Sequence, residues 1–266
     1  MKKEIYILII FIVLIITFSL LTLTKNSSNK KDINPYQEFS FYKETNLERY
    51  KKYYENNNYS YHDVVLRVNM NLDYSFYTHT KEVDSFNLLM LVNKYNYVSK
   101  DFKPDLVEVK EYATNGMYLT NECMLSFVKM ADDAKKQGYN IRAISTYRTY
   151  EYQDNLYNKY AAMDGVTKAD TYSARPGFSE HHTGLALDID NIKTSYTDFD
   201  KTKEFIWMQE NAYKYGFILR YPEDKEDITG YIYEPWHYRY VGIEVAKFIK
   251  EKNITFEEYY YEYSNK

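Results

Sequence analysis

A single cysteine, Cys123, stands in the whole chain. No disulfide can form within it and no thiolate metal site can be built, so any metal must be held by histidine, aspartate or glutamate. Cys123 itself falls in an apolar helical pattern and reads as a small core residue. An excess of positive charge is also missing. Lys and Arg number 34, Asp and Glu 38, and the net charge is -4, which argues against a nucleic-acid partner. There is no internal repeat and no regular alternation of strand and helix. Histidine is scarce, at five residues, whereas tyrosine is abundant, at 33. So many phenols must be partly exposed, because a buried one needs a partner for its hydroxyl. Such a surface suits stacking on sugars or peptides, although a compositional bias toward Lys, Asn, Ile and Tyr is the simpler explanation.

The N-terminus carries the clearest topological signal. Lys2 and Lys3 precede an uncharged run from Ile5 to Leu23, long enough to cross a bilayer as a helix. A cleaved signal has a shorter apolar core that ends in small residues; only Thr22 and Thr24 imitate that here. A retained anchor over 5–23 is therefore expected, with a cytoplasmic tip of 1–4 and the remainder outside the cell. Lys25, Lys30 and Lys31 oppose this orientation mildly. Residues 24–35 are polar and read as a linker. A charged, Tyr-rich extension follows over 36–82, then the main domain over 83–255 and a tail over 256–266.

Periodicity places the elements of that domain. A helix is expected over about 45–55. The continuous apolar run Leu88–Val92 predicts a buried strand or extended segment. Apolar residues from Cys123 to Ala134 recur at helical spacing, with Thr120 as N-cap and Gly138 as stop. Tyr139–Thr146 predicts a strand, and Thr149 caps a second helix through Ala161. Residues 163–183 read as loop around Pro176 and Gly177. Gly184–Asp190 alternates as a strand. A helix over Lys201–Tyr215 stops at Gly216; Phe217–Tyr221 and Gly230–Tyr233 predict strands, and Val241–Lys250 a last helix. This mixture implies an α+β fold with a small antiparallel sheet flanked by helices.

His62 and His79 read as surface residues of the extension. The other three histidines lie in Ser179-Glu180-His181-His182-Thr183-Gly184-Leu185-Ala186-Leu187-Asp188 and in Glu234-Pro235-Trp236-His237. Catalytic zinc usually takes three ligands from His and carboxylate and keeps one position open. A carboxylate that does not bind the metal can then take a proton from water. Two histidines, one Asp and one further Glu fill those roles. Strand periodicity alone does not decide between His181 and His182. His182 and Asp188 would share a strand face, whereas His181 and Asp188 are seven apart, but Gly184 interrupts the strand.

SEHHTGLALD resembles the SxHxxGxAxD motif of the VanY-type D-alanyl-D-alanine carboxypeptidases, and EPWH resembles their ExxH motif. STYRTYEYQ, ARPGFSEHHTG, NAYKYGFILRYP and ITGYIYEPWHYRYVG are also similar to the family, in the expected order, over roughly Leu88 to Ile249. The resemblance implies a zinc site beside an antiparallel sheet, with one Zn2+ held by His181, Asp188 and His237. It further implies Glu234 as general base, Arg148 at the scissile carbonyl, and Ser179, Gln153 and Tyr221 as substrate contacts. The implied substrate is the peptide stem of peptidoglycan and the implied reaction is removal of its terminal D-alanine. An L,D-carboxypeptidase of tetrapeptide stems, a wall endopeptidase and a non-catalytic wall-binding module are the alternatives. The family often has Gln where His182 stands, so His182 is expected behind the ligands or facing substrate.

Other readings compete at several positions. Asp188 inside an apolar strand could form a structural salt bridge, and Arg148 could pair with Glu151. Glu180, a rival base, reads as a solvated loop residue, and Asp190, a rival ligand, as a strand end. Trp207 and Trp236 read as core. Arg175 is balanced between substrate contact and loop support. A monomer attached to the lipid bilayer through 5–23 is expected.

Overall fold

The computed structural model describes residues 34–264, together with the single position Thr17. The expected membrane segment therefore lies, Thr17 apart, outside the described residues. Among those residues no helix is long and apolar enough to cross a membrane. Contacts divide the chain into two compact units, 1–42 and 43–266. In the first, a short 3-10 helix over Pro35–Glu38 is capped by Asn34, whose side chain accepts from the Tyr36 amide.

The second unit opens with helices α1 (Leu47–Asn56) and α2 (Tyr61–Asn69). Ser60 caps α2 by accepting from the Asp63 amide. Two small two-stranded pairings follow: β1 (Lys81–Glu82) with β2 (Asn96–Tyr97), parallel, and β3 (Val107–Glu108) with β4 (Tyr118–Leu119), antiparallel. Leu88–Val92 forms no strand. Met90, Leu91 and Val92 are nevertheless buried: the run is apolar because it packs, while its backbone pairs with no neighbouring strand.

The main sheet has the order β5-β6-β8-β7, antiparallel throughout. Its strands are β5 (Arg142–Ser145), β6 (Ala186–Asp190), β7 (Phe217–Leu219) and β8 (His237–Tyr240). The strand expected over Gly230–Tyr233 is absent, and β8, which no periodicity had marked, sits in the middle of the sheet. Alternation gives each strand two faces. Leu187, Ile189, Phe217, Tyr238 and Tyr240 join the large core with Phe127, Met130 and Ala131 of helix α3 (Asn121–Lys136) and with Trp207 and Met208. The opposite face carries Asp188, His237 and Arg239.

Helix α4 (Tyr150–Asp164) starts where expected, with the Thr149 side chain accepting from the Tyr152 amide. The expected loop that follows contains the single-turn helix α5 (Val166–Ala169) and a 3-10 turn over Glu180–Thr183. Helix α6 (Lys203–Asn211) runs into a 3-10 segment, Ala212–Tyr215, that ends at Gly216. Gly216 has φ +83°, and a Cβ there would lie 2.6 Å from the Tyr240 ring and 3.0 Å from the Gly242 backbone, so the turn into β7 requires glycine. After α7 (Glu226–Thr229) come α8 (Ile243–Lys252) and α9 (Phe256–Glu262). The stretch expected as a tail thus carries a helix, and its Phe256 is fully buried in a second core with Leu91, Ile218 and Val241.

Candidate active site

Strand register brings the first two candidate ligands together. In the β6–β8 pairing Asp188 stands directly opposite His237. Cross-strand partners have Cβ atoms about 4.5–5.5 Å apart, so two side chains on the same face converge without help from loops. His181 arrives from the 3-10 turn, which Ser179 caps by accepting the His181 amide at 3.3 Å. Gly184, at φ +68°, then turns the chain into β6. This break removes the objection from strand periodicity: His181 lies outside the extended segment.

The ligand atoms surround one point. Asp188 Oδ1 lies 3.4 Å from His181 Nε2 and 3.3 Å from His237 Nδ1, and candidate ligand atoms of all three residues lie within 4.8 Å of one another. Tetrahedral zinc with bonds of about 2.0–2.1 Å would separate its ligands by about 3.3–3.4 Å. Asp188 Oδ1 is buried without a hydrogen-bond partner, although buried polar atoms are normally paired. His181 Nδ1 lies 2.6 Å from the Thr146 carbonyl, which fixes its proton there and leaves the Nε2 lone pair for a metal. The chemistry and spacing of this donor set fit zinc.

The electrostatics follow from burial and neighbours. Burial, assisted by Arg148, lowers His181 to about 4. Burial opposes ionisation of Asp188, but His181 and Arg148 outweigh it and hold its carboxyl well below the usual range. Burial also opposes the charged form of His237, yet the neighbouring Asp188 and Glu180 carboxylates raise it to about 9. Glu234 is pushed up to about 8, chiefly by burial, with Asp188 adding to the shift and His237 and Arg148 opposing it. Its Oε2 lies 3.5 Å from His237 Nδ1. A cation held by the three ligands would favour ionised Glu234.

Arg148 reaches Asp188, not Glu151. Its NH2 donates to Asp188 Oδ2 at 2.7 Å and to Ser145 Oγ at 2.8 Å, while Glu151 pairs with Lys100. Arg148 NH1 lies 3.5 Å from Gln153 Oε1, and Gln153 Nε2 donates to the Ala174 carbonyl. Gln153 is thus committed to holding Arg148 and a neighbouring loop. The Tyr221 ring packs 4.8 Å from that of His237. Arg148, Gln153, Ser179, Tyr221, Glu234 and the three ligands all line one cleft of about 540 Å³. Its lining also includes the aromatic residues Tyr152, Tyr160, Tyr196 and Trp236.

At the remaining positions some expectations are corrected and others are met. Glu180 is not solvated: it is 1 % exposed, between Arg220 and Arg239. The 3-10 turn drives it inward, a conformation that a polar run does not announce. His182 faces neither cleft nor ligands. Its Nδ1 donates to the Arg148 carbonyl and its Nε2 accepts from the Gly177 amide. Arg175 pairs twice with Asp170 and supports its loop. Trp207 is core, but Trp236 is half-buried on the cleft wall, edge-on to Tyr196. Asp190, at the end of β6, caps the following turn through the Ile192 amide.

Comparison with known proteins gives a consistent picture. The family described as VanY, D-alanyl-D-alanine carboxypeptidase, matches residues 116–243. "Putative carboxypeptidase YodJ" of Bacillus subtilis (strain 168) is 40% identical over 205 residues, covering 71% of this chain and 75% of that protein. Among solved structures, the LdcB LD-carboxypeptidase is 39% identical with a TM-score of 0.65, covering 70% of this chain and 91% of that one. A mutant of the vancomycin-resistance D,D-pentapeptidase VanY in complex with Zn(II) is 34% identical with a TM-score of 0.58, covering 65% and 98%.

Proposed function

Because the chain belongs to the VanY family of D-alanyl-D-alanine carboxypeptidases, we propose that it removes the terminal D-alanine from peptidoglycan stem peptides, using zinc held by His181, Asp188 and His237. The observation that carries this reading is the Asp188–His237 cross-strand pair, with an orphaned carboxylate oxygen between two histidine nitrogens.

Zinc held by these three residues would lower the pKa of water toward 7 and polarise a carbonyl. Glu234 takes the proton from the attacking water and passes it to the departing D-alanine amine as the peptide C–N bond breaks. Arg148, held in one orientation by Ser145 and Gln153, lines the cleft and offers its guanidinium to the substrate beside the reacting carbonyl. Ser179 and Tyr221 bound the substrate side of the cleft.

The LdcB likeness favours a second reading, removal of D-alanine from tetrapeptide stems across an L,D bond. Incubating the domain with pentapeptide and with tetrapeptide stems, with and without a chelator, and weighing the products separates the two. Loss of one alanine from the pentapeptide, abolished by chelator, is the expected result. A cut inside a cross-link would assign the protein to endopeptidases instead. We further propose that the catalytic domain lies outside the cell, attached through 5–23, on the strength of the apolar run after Lys2 and Lys3. A mature N-terminus near Lys25 would contradict the anchor.

A further inference from the structure

Behind the candidate zinc site lies a buried group of charges that the reaction does not use. Glu180 Oε1 accepts from Arg220 Nε at 2.8 Å and from Arg239 NH1 at 3.0 Å. Arg220 in turn donates two bonds to Glu257 of α9, at 2.8 and 2.6 Å. Arg239 also holds the carbonyls of Leu88 and Met90. Both arginines are fully buried, so two cations and two carboxylates cancel within the core. Burying four charges is costly, and well-packed apolar residues often serve stability as well or better. Stability alone therefore does not explain the group.

The unpaired atoms indicate its purpose. Glu180 Oε2 is buried and has no hydrogen-bond partner, and the same holds for His237 Nε2. These two orphans face each other at 3.5 Å. The opposite nitrogen of the same ring, Nδ1, points to Asp188 Oδ1. A metal at Nδ1 requires the lone pair there, which places the ring proton on Nε2. A movement of a few tenths of an ångström would turn the facing orphans into an N–H···O⁻ bond.

We propose that Glu180 is a positioning residue for the metal centre: it accepts the Nε2 proton of His237 and thereby fixes the tautomer and ring orientation that present Nδ1 to zinc. Arg220 and Arg239 hold the carboxylate against His237, and Glu257 of the C-terminal helix balances Arg220. The proposal rests on the reading of His237 as a ligand. Ligating histidines commonly donate their other N–H to a carboxylate, and removing such a partner costs about 10–100-fold in metal affinity.

The test is the zinc dissociation constant of the purified protein, measured by competition with a chromophoric chelator, together with the absorption spectrum of the cobalt(II)-loaded form. Glu180→Gln is expected to weaken zinc by about 10–100-fold and to shift the cobalt bands. Glu257→Gln leaves a comparable uncompensated arginine charge in the core but does not touch His237. It is expected to lower Tm while leaving zinc affinity and the cobalt spectrum at their wild-type values. Equal weakening by both variants would mean that the group acts only through stability and would overturn the proposal. If Glu180→Gln does not fold, Glu180→Asp keeps the charge and withdraws the carboxylate by one methylene. Wild-type zinc affinity in Glu180→Asp would equally overturn it. His237→Ala separates this inference from its premise. Unchanged zinc binding there would remove His237 from the ligand set, whereas loss of zinc there with none in the Glu180 variants would defeat the present inference alone.

Discussion

At the scale of single residues, adjacent side chains have been given different tasks. His181 and His182 are neighbours in sequence, but the 3-10 turn sends one to Asp188 and the other to the backbone of Gly177 and Arg148. His181→Ala is expected to lose zinc, read by metal analysis of the dialysed protein. His182→Ala should keep zinc yet leave the buried Gly177 amide unpaired, at a cost of about 1–3 kcal/mol, visible as a lower Tm. Zinc lost from the second variant and retained by the first would reverse the assignment. Glu234→Gln is nearly isosteric and should retain both fold and metal. With no group to take the proton, its turnover should fall by about 10²–10⁴, and a smaller loss would point to another base. The resemblance to the family's motifs singled out His181, Asp188, His237 and Glu234, whereas spacing alone left His181 and His182 undecided. Glu180 was not legible, because two of its partners, Arg220 and Arg239, lie far along the chain and burial is set only by their packing.

At the scale of elements, caps and stops were easier to read than strands. Thr149 at the start of α4 and Gly216 at the start of β7 were visible because each answers a local requirement, an unpaired amide or a positive φ. Strand β8 was not visible. Its burial is continuous rather than alternating, because Tyr238 and Tyr240 face one core while His237 and Arg239 are enclosed on the other side. Leu88–Val92 left a buried strand and a buried unpaired segment open, since burial without pairing gives the same apolar run, and the second is what forms. Gly216→Ala tests the stop. The left-handed conformation alone costs a residue with a Cβ roughly 1–2 kcal/mol, and contact with the Gly242 backbone adds to that. A clear fall in Tm is expected, and an unchanged melting curve would show that the turn can relax.

At the scale of the whole molecule, the charge layout of the cleft bears on which end of a peptide it accepts. Among the described residues lining it, Arg148 is the only Lys or Arg, whereas Asp164, Glu180, Asp188 and Glu234 supply carboxylates. Glu180 is neutralised by its two arginines, and Asp188 faces the candidate metal position. A substrate carboxylate entering this cleft therefore has one guanidinium and the candidate metal centre to meet, and the forked guanidinium, unlike an ammonium, can hold Asp188 and Ser145 on one side and still present another nitrogen to a ligand. Arg148 is already bound on its NH2 side to Asp188 and Ser145, so NH1, with only a long contact to Gln153, is the donor that remains for a ligand. Holding the last residue there would place its peptide carbonyl beside the three ligands, and such positioning can contribute several powers of ten in rate. Amidating the C-terminus of a pentapeptide stem removes the negative charge and little else. Turnover of the amide is expected to fall steeply, with the loss appearing in kcat/KM. Arg148→Lys should lower turnover of the free acid and narrow the difference between the two substrates. Equal turnover of amide and acid by the wild-type protein would mean that the cleft does not read a terminal carboxylate, and the reaction would then be one on internal bonds.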